Sequence, residues 1–359
     1  MNRDFGGKLP NLWGAWLACA VLALILLGGC DEDGAGNGTT PPPDPNQAGW
    51  VCSTNTDEVV KFSIDGSEEL LRVDGDRFFF PRDIAVDMRD GAVWVADRYN
   101  NRLVRVTADG LLDVWTEPME HFRPSSVSVD DSNGNVWATD KDRSQVLIFD
   151  EDAELLCTIT GFNFPFHLMV DQSDGGCWVA DEGYPTSFVC KLPAGLTGTV
   201  ARGSVQTVYF EADGVFFCVP EEASGGVWVS LLTGDDYLVG RYNSSGNLVG
   251  GVSELGEPSA LALDEGRGIL WISDNSTGTL YRIESDLLGT EAIGDLALSG
   301  LGGFFEISDL AVNRNNGDAW VADKGSNEVS IVKANGSEIL VTLTGFSDPY
   351  SVALRDVVQ

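Results

Sequence analysis

Histidine is almost missing from this chain: 359 residues hold His121 and His167 and no third. Two histidines far apart cannot supply a His-rich metal centre, and His167 has no carboxylate placed beside it to form a general acid–base pair. Basic residues are also scarce, 22 Lys and Arg against 55 Asp and Glu, a formal net charge of −33. A field of that sign disfavours nucleic acid, heparin-like polymers and anionic lipid surfaces as partners. Helix-period apolar patterning is nearly absent, and no GxSxG, P-loop or Rossmann fingerprint occurs. The acidic turns Asp87–Gly91 and Asp130–Gly134 lack the spacing and terminal Glu of a calcium loop, and read as Asp-Gly and Asn-Gly hairpins.

Long apolar runs are limited to one. Leu12 to Leu27 is apolar over 16 residues behind Arg3 and Lys8, short of the roughly 20 that a membrane-spanning helix needs. It ends in Leu27-Gly28-Gly29-Cys30, which resembles a bacterial lipobox. That resemblance implies a signal peptide over 1–29, cleavage before Cys30, and acyl chains such as palmitate on Cys30. Several chains would hold the protein permanently to a membrane of the cell envelope, periplasmic or surface-exposed. Asp31 after the cysteine resembles a signal for retention at the inner membrane. Residues 30–49 then read as a lipidated cysteine and a spacer, because a Gly, Pro, Asp and Thr stretch buries too little apolar surface to fold. Loss of residues 1–29 removes Arg3, Lys8 and Asp4, leaving 20 basic and 54 acidic residues.

What remains, 50–359, is rich in glycine turns and short Val, Ile, Leu, Phe and Trp runs spaced about ten residues apart, an all-β signature. A longer period overlies this. An alternating strand, an acidic Gly-rich turn and a Trp-centred strand recur as PRDIAVDMRDGAVWVAD (81–97), PSSVSVDDSNGNVWATD (124–140) and PFHLMVDQSDGGCWVAD (165–181). Further copies are VFFCVPEEASGGVWVS (215–230), PSALALDEGRGILWISD (258–274) and ISDLAVNRNNGDAWVAD (307–323). A seventh is split: Pro349 to Asp356 supplies its first strand and Trp50-Val51-Cys52-Ser53-Thr54 its second. This predicts a seven-bladed β-propeller of four-stranded blades, closed by pairing the N- and C-terminal strands. Alternation sets each tryptophan on one face and its neighbours on the other, so the tryptophans read as core. The copies at 165–181 and 215–230 depart from the pattern. The first is followed by a long outer segment, Leu192 to Phe210; the second lacks the initial Pro and ends on Ser230 where others have Asp.

Cysteine is sparse within this part: Cys52, Cys157, Cys177, Cys190 and Cys218. Their spacing matches no zinc pattern, and the odd count leaves at least one thiol unpaired within the chain. Export permits disulfides, and Cys177–Cys190, on successive strands, is the pairing expected.

With an initial Pro, a strand such as Ile84-Ala85-Val86-Asp87, a Gly turn and Trp94-Val95-Ala96-Asp97, the units resemble NHL repeats. The Asn-x-Arg continuation of that pattern has a counterpart in Asn100-Asn101-Arg102. The Gly usual two residues after the Pro is replaced by Asp83, Ser126, His167 and Ala260. The resemblance implies that each first strand lines a central channel. Its mouth would then be ringed by Arg82 and Asp83, Ser125 and Ser126, Phe166 and His167, Ser259, Ser308 and Asp309, and Tyr350 and Ser351. Asp97, Asp140, Asp181, Asp274 and Asp323 would reach the same face and accept hydrogen bonds from the loops that follow them.

Among propellers similar to this one, streptogramin lyases use His and Glu acid–base groups, and lactonases a Glu, Asn and Asp set around a divalent metal. Glu257-Pro258 loosely resembles the start of a lactonase site, without matching Asn residues at channel positions. An enzyme here would need His167 with a carboxylate such as Asp83, Asp181 or Glu257 around a bound metal. The sequence therefore points to a membrane-tethered, non-catalytic binding or scaffolding module without cofactor or metal. It would take a protein, peptide or glycan partner at the channel face, through Arg82, Asp83, His167, Ser259, Asp309 and Tyr350.

Overall fold

The computed structural model describes residues 46–184, 186–296 and 300–356. The 1–29 leader, Cys30 and most of the spacer lie outside them. Seven sheets follow one another around the ring, each with an antiparallel four-stranded body; one is closed by the two ends of the described chain. We number the blades from that one. Blade 1 joins Pro349–Arg355 to Ala48–Ser53, Glu58–Ser63 and Glu69–Val73. Blades 2 to 7 open at Pro81, Pro124, Pro165, Gly214, Pro258 and Ile307. The first strand begins at Ala48, two residues inside the segment read as spacer. Each blade's innermost strand neighbours those of the flanking blades, so the seven line the axis.

The strands form where the sequence alternates, and they stop at turns that require positive φ. Blade 2 runs Pro81–Val86, Val93–Asp97, Arg102–Val106 and Leu112–Trp115. Gly91, at φ +79°, closes its first hairpin, a conformation a side chain would strain.

The core consists of seven interfaces between blades, each centred on a tryptophan. Trp50 of blade 1 packs with Ile84, Val93 and Val95 of blade 2, whereas its neighbour Val51 faces Trp320 and Ala322 of blade 7. The same rule carries Trp94, Trp137, Trp178, Trp228, Trp271 and Trp320 each onto the following blade. Burial of a side chain this large is worth several kcal/mol. A lone blade would expose both faces, so closing the ring is what makes each of them stable. The closing pair is antiparallel with Trp50 opposite Ala353 and Cys52 opposite Ser351, and Thr54 N–H donates to Asp348 at 3.0 Å.

Two blades are wider than the repeat predicts. The long segment after Leu192 sends Gly198–Ala201 back to the previous blade, where it pairs in parallel with Leu155–Thr160. Gly289–Ala292 of blade 6 does the same against Leu248–Leu255 of blade 5. Blades 3 and 5 therefore carry a fifth, borrowed strand, which covers an exposed sheet edge.

The expected Cys177–Cys190 disulfide is not formed. All five described cysteines are free and buried. Cys177 lies opposite Leu192, and Cys190 opposite Val179. The two thiols share a face but sit on a diagonal, about 7–8 Å apart in a regular ladder, beyond the usual reach of a disulfide.

Candidate functional site at the channel mouth

Every innermost strand begins with a β-bulge. The ladder slips between Pro81 and Ile84, Pro124 and Val127, Pro165 and His167, and Val215 and Phe217. It slips again between Pro258 and Leu261, Ile307 and Asp309, and Pro349 and Ser351. A bulge re-aims one or two side chains and leaves backbone groups out of the ladder. The re-aimed residues form the mouth. Arg82, Asp83, His167, Asp309 and Tyr350, all expected there, line one cavity with Ser125, Ser126, Phe166, Ser308 and Ser351. Ser259 does not join them: its hydroxyl bonds Ser273 Oγ at 2.7 Å and the Ile307 carbonyl at 3.1 Å. Phe217 of blade 5 lines the cavity instead. The sequence reading missed it because that blade lacks the initial Pro used to find the position.

Side chains two residues into these strands tie five of the seven blades to the next. Asp83 Oδ2 accepts Val127 N–H at 2.8 Å, Ser126 Oγ accepts Leu168 N–H at 3.3 Å, and His167 Nδ1 accepts Cys218 N–H at 3.4 Å. Asp309 Oδ2 accepts Val352 N–H at 3.0 Å, and Ser351 Oγ lies 3.4 Å from Ile84 N–H. Three of the four residues that replace the usual Gly, Asp83, Ser126 and His167, are thus hydrogen-bond acceptors between blades, whereas Ala260 has no polar group to offer. Burial holds the His167 imidazole neutral, its pKa lowered to about 4, as an acceptor of a backbone N–H requires. His121 is exposed on a connector, 3.3 Å from Glu120, and takes no part.

The carboxylates beneath are strained electrostatically. Ser351 Oγ lies 2.8 Å from Asp83 Oδ1 and 2.9 Å from Asp309 Oδ2. Burial, only partly offset by the backbone N–H of Val127, pushes Asp83 up to about 6. Burial and the nearby Asp83 charge push Asp309 up to about 7.

The five strand-end aspartates face the same side but act as clamps. They bind the loop that precedes their own blade: Asp97 accepts Phe79 N–H at 2.7 Å, and Asp181 accepts Asn163 and Phe164 N–H at 2.7 and 2.8 Å. Asp274 holds Gly256 and Glu257, and Asp323 holds Phe305 and Glu306. Asp140 holds Arg123 more loosely, at 3.5 Å. The following loop, expected as the donor, contributes a second set of bonds, as from Gly183 and Ser276.

Above the carboxylates the mouth carries cations and rings. Arg82 donates to Tyr350 Oη, with its guanidinium 4.1 Å from that ring's centre. Arg98 Nη1 donates to Ser125 Oγ at 2.5 Å. Lys141 Nζ sits 4.7 Å from the Phe164 ring and 5.8 Å from Phe166. The cavity they surround is about 30 Å³, room for one or two waters but not for a drug-sized molecule. Among the described residues no three His, Cys, Asp or Glu side chains are grouped to hold a metal ion. At the other end the channel opens into a wider cavity of about 220 Å³, walled by Ala85, Val129, Met169 and Leu310 with Arg314, Asp131 and Asp356 at its edge. No sequence feature had singled out that end.

Comparison with known proteins agrees with the geometry. Residues 78–106 match the NHL repeat, so the chain carries an NHL repeat in blade 2. None of the curated protein sequences matches the chain. Similar solved structures include hydrazine synthase of Kuenenia stuttgartiensis, at TM-score 0.67 and 11% identity over 84% of this chain and 99% of that one. Another is a nidogen/laminin complex, at 0.56 and 12% over 86% and 98%. A streptogramin B lyase matches at 0.58 and 15% over 76% and 86%. At such identities the likeness is one of fold.

Proposed function

We propose that this chain is a non-catalytic binding propeller, tethered by lipid at Cys30 in a bacterial envelope, that recognises a protein, peptide or glycan partner through its channel mouth. The carrying observation is how the groups fit for acid–base chemistry are used. Asp83, His167 and Asp309 each accept a backbone N–H of the neighbouring blade, so they hold the ring together. Glu257 is exposed, with its own N–H bound to Asp274, and does not line the mouth. What the mouth offers a partner is a rigid rim of cations and rings. The loops around it add exposed aromatics, Phe79 at 52%, Tyr99 at 40% and Phe305 at 72% exposure, the residue type enriched at protein interfaces. A propeller of this shape occurs in a complex of nidogen with laminin.

The tether is tested by metabolic labelling with palmitate: label should enter the wild-type chain and not Cys30→Ala. The binding role is tested by photo-crosslinking in intact cells from Tyr99 and, as control, from Leu155 on an outer strand. A discrete adduct from Tyr99 alone is expected. A lyase or lactonase reading replaces this one if the purified chain turns over a lactone or ester with added divalent metal, and His167→Ala or Glu257→Gln abolishes that turnover.

A further inference from the structure

Three cations converge on the mouth of a chain in which acids outnumber bases by more than two to one. Arg82 lines the cavity, Arg98 holds the cavity residue Ser125, and Lys141 faces Phe166 on its wall. Asp142 and Glu182 act on Lys141, and Asp348 on Arg82, but only from beyond ion-pair distance for those two cations. Among the described residues, Arg82 and Lys141 make no ion pair, and Arg98 reaches only Asp142 at 3.6 Å, a carboxylate it shares with Arg123 at 3.5 Å. Several basic side chains elsewhere are closely paired, as Lys191 is with Asp171 at 2.6 Å and Arg241 with Glu221 at 2.7 Å. Others without an ion pair bond a backbone carbonyl, as Lys61 does with Ala108 and Arg282 with Ala334. Burial, with repulsion from Arg98 and Arg82, lowers Lys141 to about 8. Half-burying an ammonium among like charges costs stability unless something of opposite sign arrives.

We propose that the channel mouth binds one anionic oxygen group, a carboxylate or a phosphate, held by Arg82, Lys141 and Arg98 between the rings of Phe166 and Tyr350. Arg82 offers a planar fork and Lys141 a point charge, the pair of donors such oxygens accept. The cavity below takes water only, so the anionic group is the inserted end of a larger molecule whose body lies outside, across the exposed aromatic loops. This rests on the mouth being the recognition face and names what that face reads.

The test uses the whole chain, titrated with acetate, benzoate and inorganic phosphate at constant ionic strength. Thermal unfolding and the rate at which an amine reagent modifies Lys141 are both followed. At least one anion should raise Tm saturably and slow Lys141 modification several-fold. Arg82→Gln should weaken that protection about tenfold, and Lys333→Gln, which removes an exposed cation paired with Glu338, should leave it unchanged. Lys141→Met should be at least as stable as the wild type without anion and lose the anion-dependent gain. Saturation by acetate or benzoate alone assigns a carboxylate, and by phosphate alone a phosphate. The proposal is overturned if no anion protects Lys141, if Lys333→Gln loses as much as Arg82→Gln, or if Lys141→Met is destabilised without anion. Anion binding together with ester turnover would sink the non-catalytic reading and leave the site. A Tyr99 crosslink without any anion effect would do the reverse.

Discussion

Asp83 of blade 2 and Asp309 of blade 7 meet across one hydroxyl, Ser351 Oγ, at 2.8 and 2.9 Å. A serine has one proton to donate, so two contacts this short require a second proton, held by one of the carboxyls. Both acids are raised in the folded chain, to about 6 and about 7, by burial and, for Asp309, by the Asp83 charge. Unfolded, an aspartate ionises near 3.9. Between pH 4 and 7 this pair therefore holds more protons folded than unfolded, and its contribution to stability falls as pH rises through that window. Asp309→Asn removes one ionisation and should be more stable than the wild type at pH 8, by at most about 4 kcal/mol. The gain should shrink toward pH 4. Urea unfolding at both pH values reads this; a gain independent of pH would mean that the pair does not share a proton.

His167 acts with the opposite sign. Its folded pKa is lowered to about 4 by burial, whereas an unfolded histidine titrates near 6.5. Below pH 6.5 the unfolded chain takes up the proton first, so this group removes stability as pH falls toward 4. His167→Asn should flatten the acid limb of the stability curve between pH 6.5 and 4 and leave the limb above pH 7 unchanged. NMR titration of the imidazole gives an independent reading, and a pKa near 6.5 would contradict the buried acceptor role.

Gly49 lies beneath the indole of Trp320, across the seam between blades 1 and 7: a Cβ there would fall 2.3 to 2.6 Å from three ring carbons. Neither the ring nor the ladder that holds Gly49 opposite Leu354 can yield cheaply. Gly49→Ala should cost about 1–3 kcal/mol, the usual penalty of overpacking. Amide exchange at Thr54 and Asn55, whose N–H groups bond Asp348 and Ser347 in the connector from blade 7 to blade 1, should quicken more than in blades 3 to 5. Adding Trp320→Leu should restore part of the loss, which is the non-additivity expected of residues in contact.

The ring was legible in the sequence because repetition announces itself. Six Trp-centred copies and a split seventh specify blades and closure, since only a closed array buries both faces of every sheet. The mouth was legible where a Pro marked the bulge, giving Arg82, Asp83, His167 and Tyr350, and at Asp309, where the repeat spacing alone marked it. It failed at Ser259, whose hydroxyl is used between blades, and at Phe217, which has no Pro before it. The acceptor series Asp83, Ser126, His167, Asp309 and Ser351 was visible as letters. Its purpose was not, because the N–H groups it satisfies come from the next blade, 42 to 51 residues away and, for Ser351, 267 residues away. The borrowed strands were hidden for the same reason: Gly198–Ala201 pairs with a blade already completed by its own four strands. The cluster of Arg82, Arg98 and Lys141 joins residues of blades 2 and 3 that no spacing rule connects.

Lys191 closes an ion pair inside blade 4. Its ammonium lies 2.6 Å from Asp171 and 2.8 Å from Asp174, with Lys191 7% and Asp171 0% exposed. Lys191→Met keeps the apolar stem but leaves the Asp171 charge without its cation. The expected loss is about 3–5 kcal/mol, the range for breaking one side of a buried pair. Because the charge is the cause, Asp171→Asn added to Lys191→Met should recover much of it. Denaturant unfolding of the two variants decides; equal instability would place the cost in packing.

The five buried thiols give the final prediction. Burial raises Cys52, Cys177, Cys190 and Cys218 well above the ordinary thiol range, and Cys157 more modestly. A thiol that cannot ionise attacks neither a disulfide nor a reagent at neutral pH. The native chain carrying Cys19→Ser and Cys30→Ser should therefore react with Ellman's reagent hardly at all, and release its five remaining thiols once unfolded in guanidinium without reductant. A reductant should leave Tm unmoved. A release of three would mean that two of these cysteines form a disulfide. Cys177 and Cys190 would then have to shift the ladder that sets them on a diagonal, and peptide mapping of the unreduced chain would identify the pair.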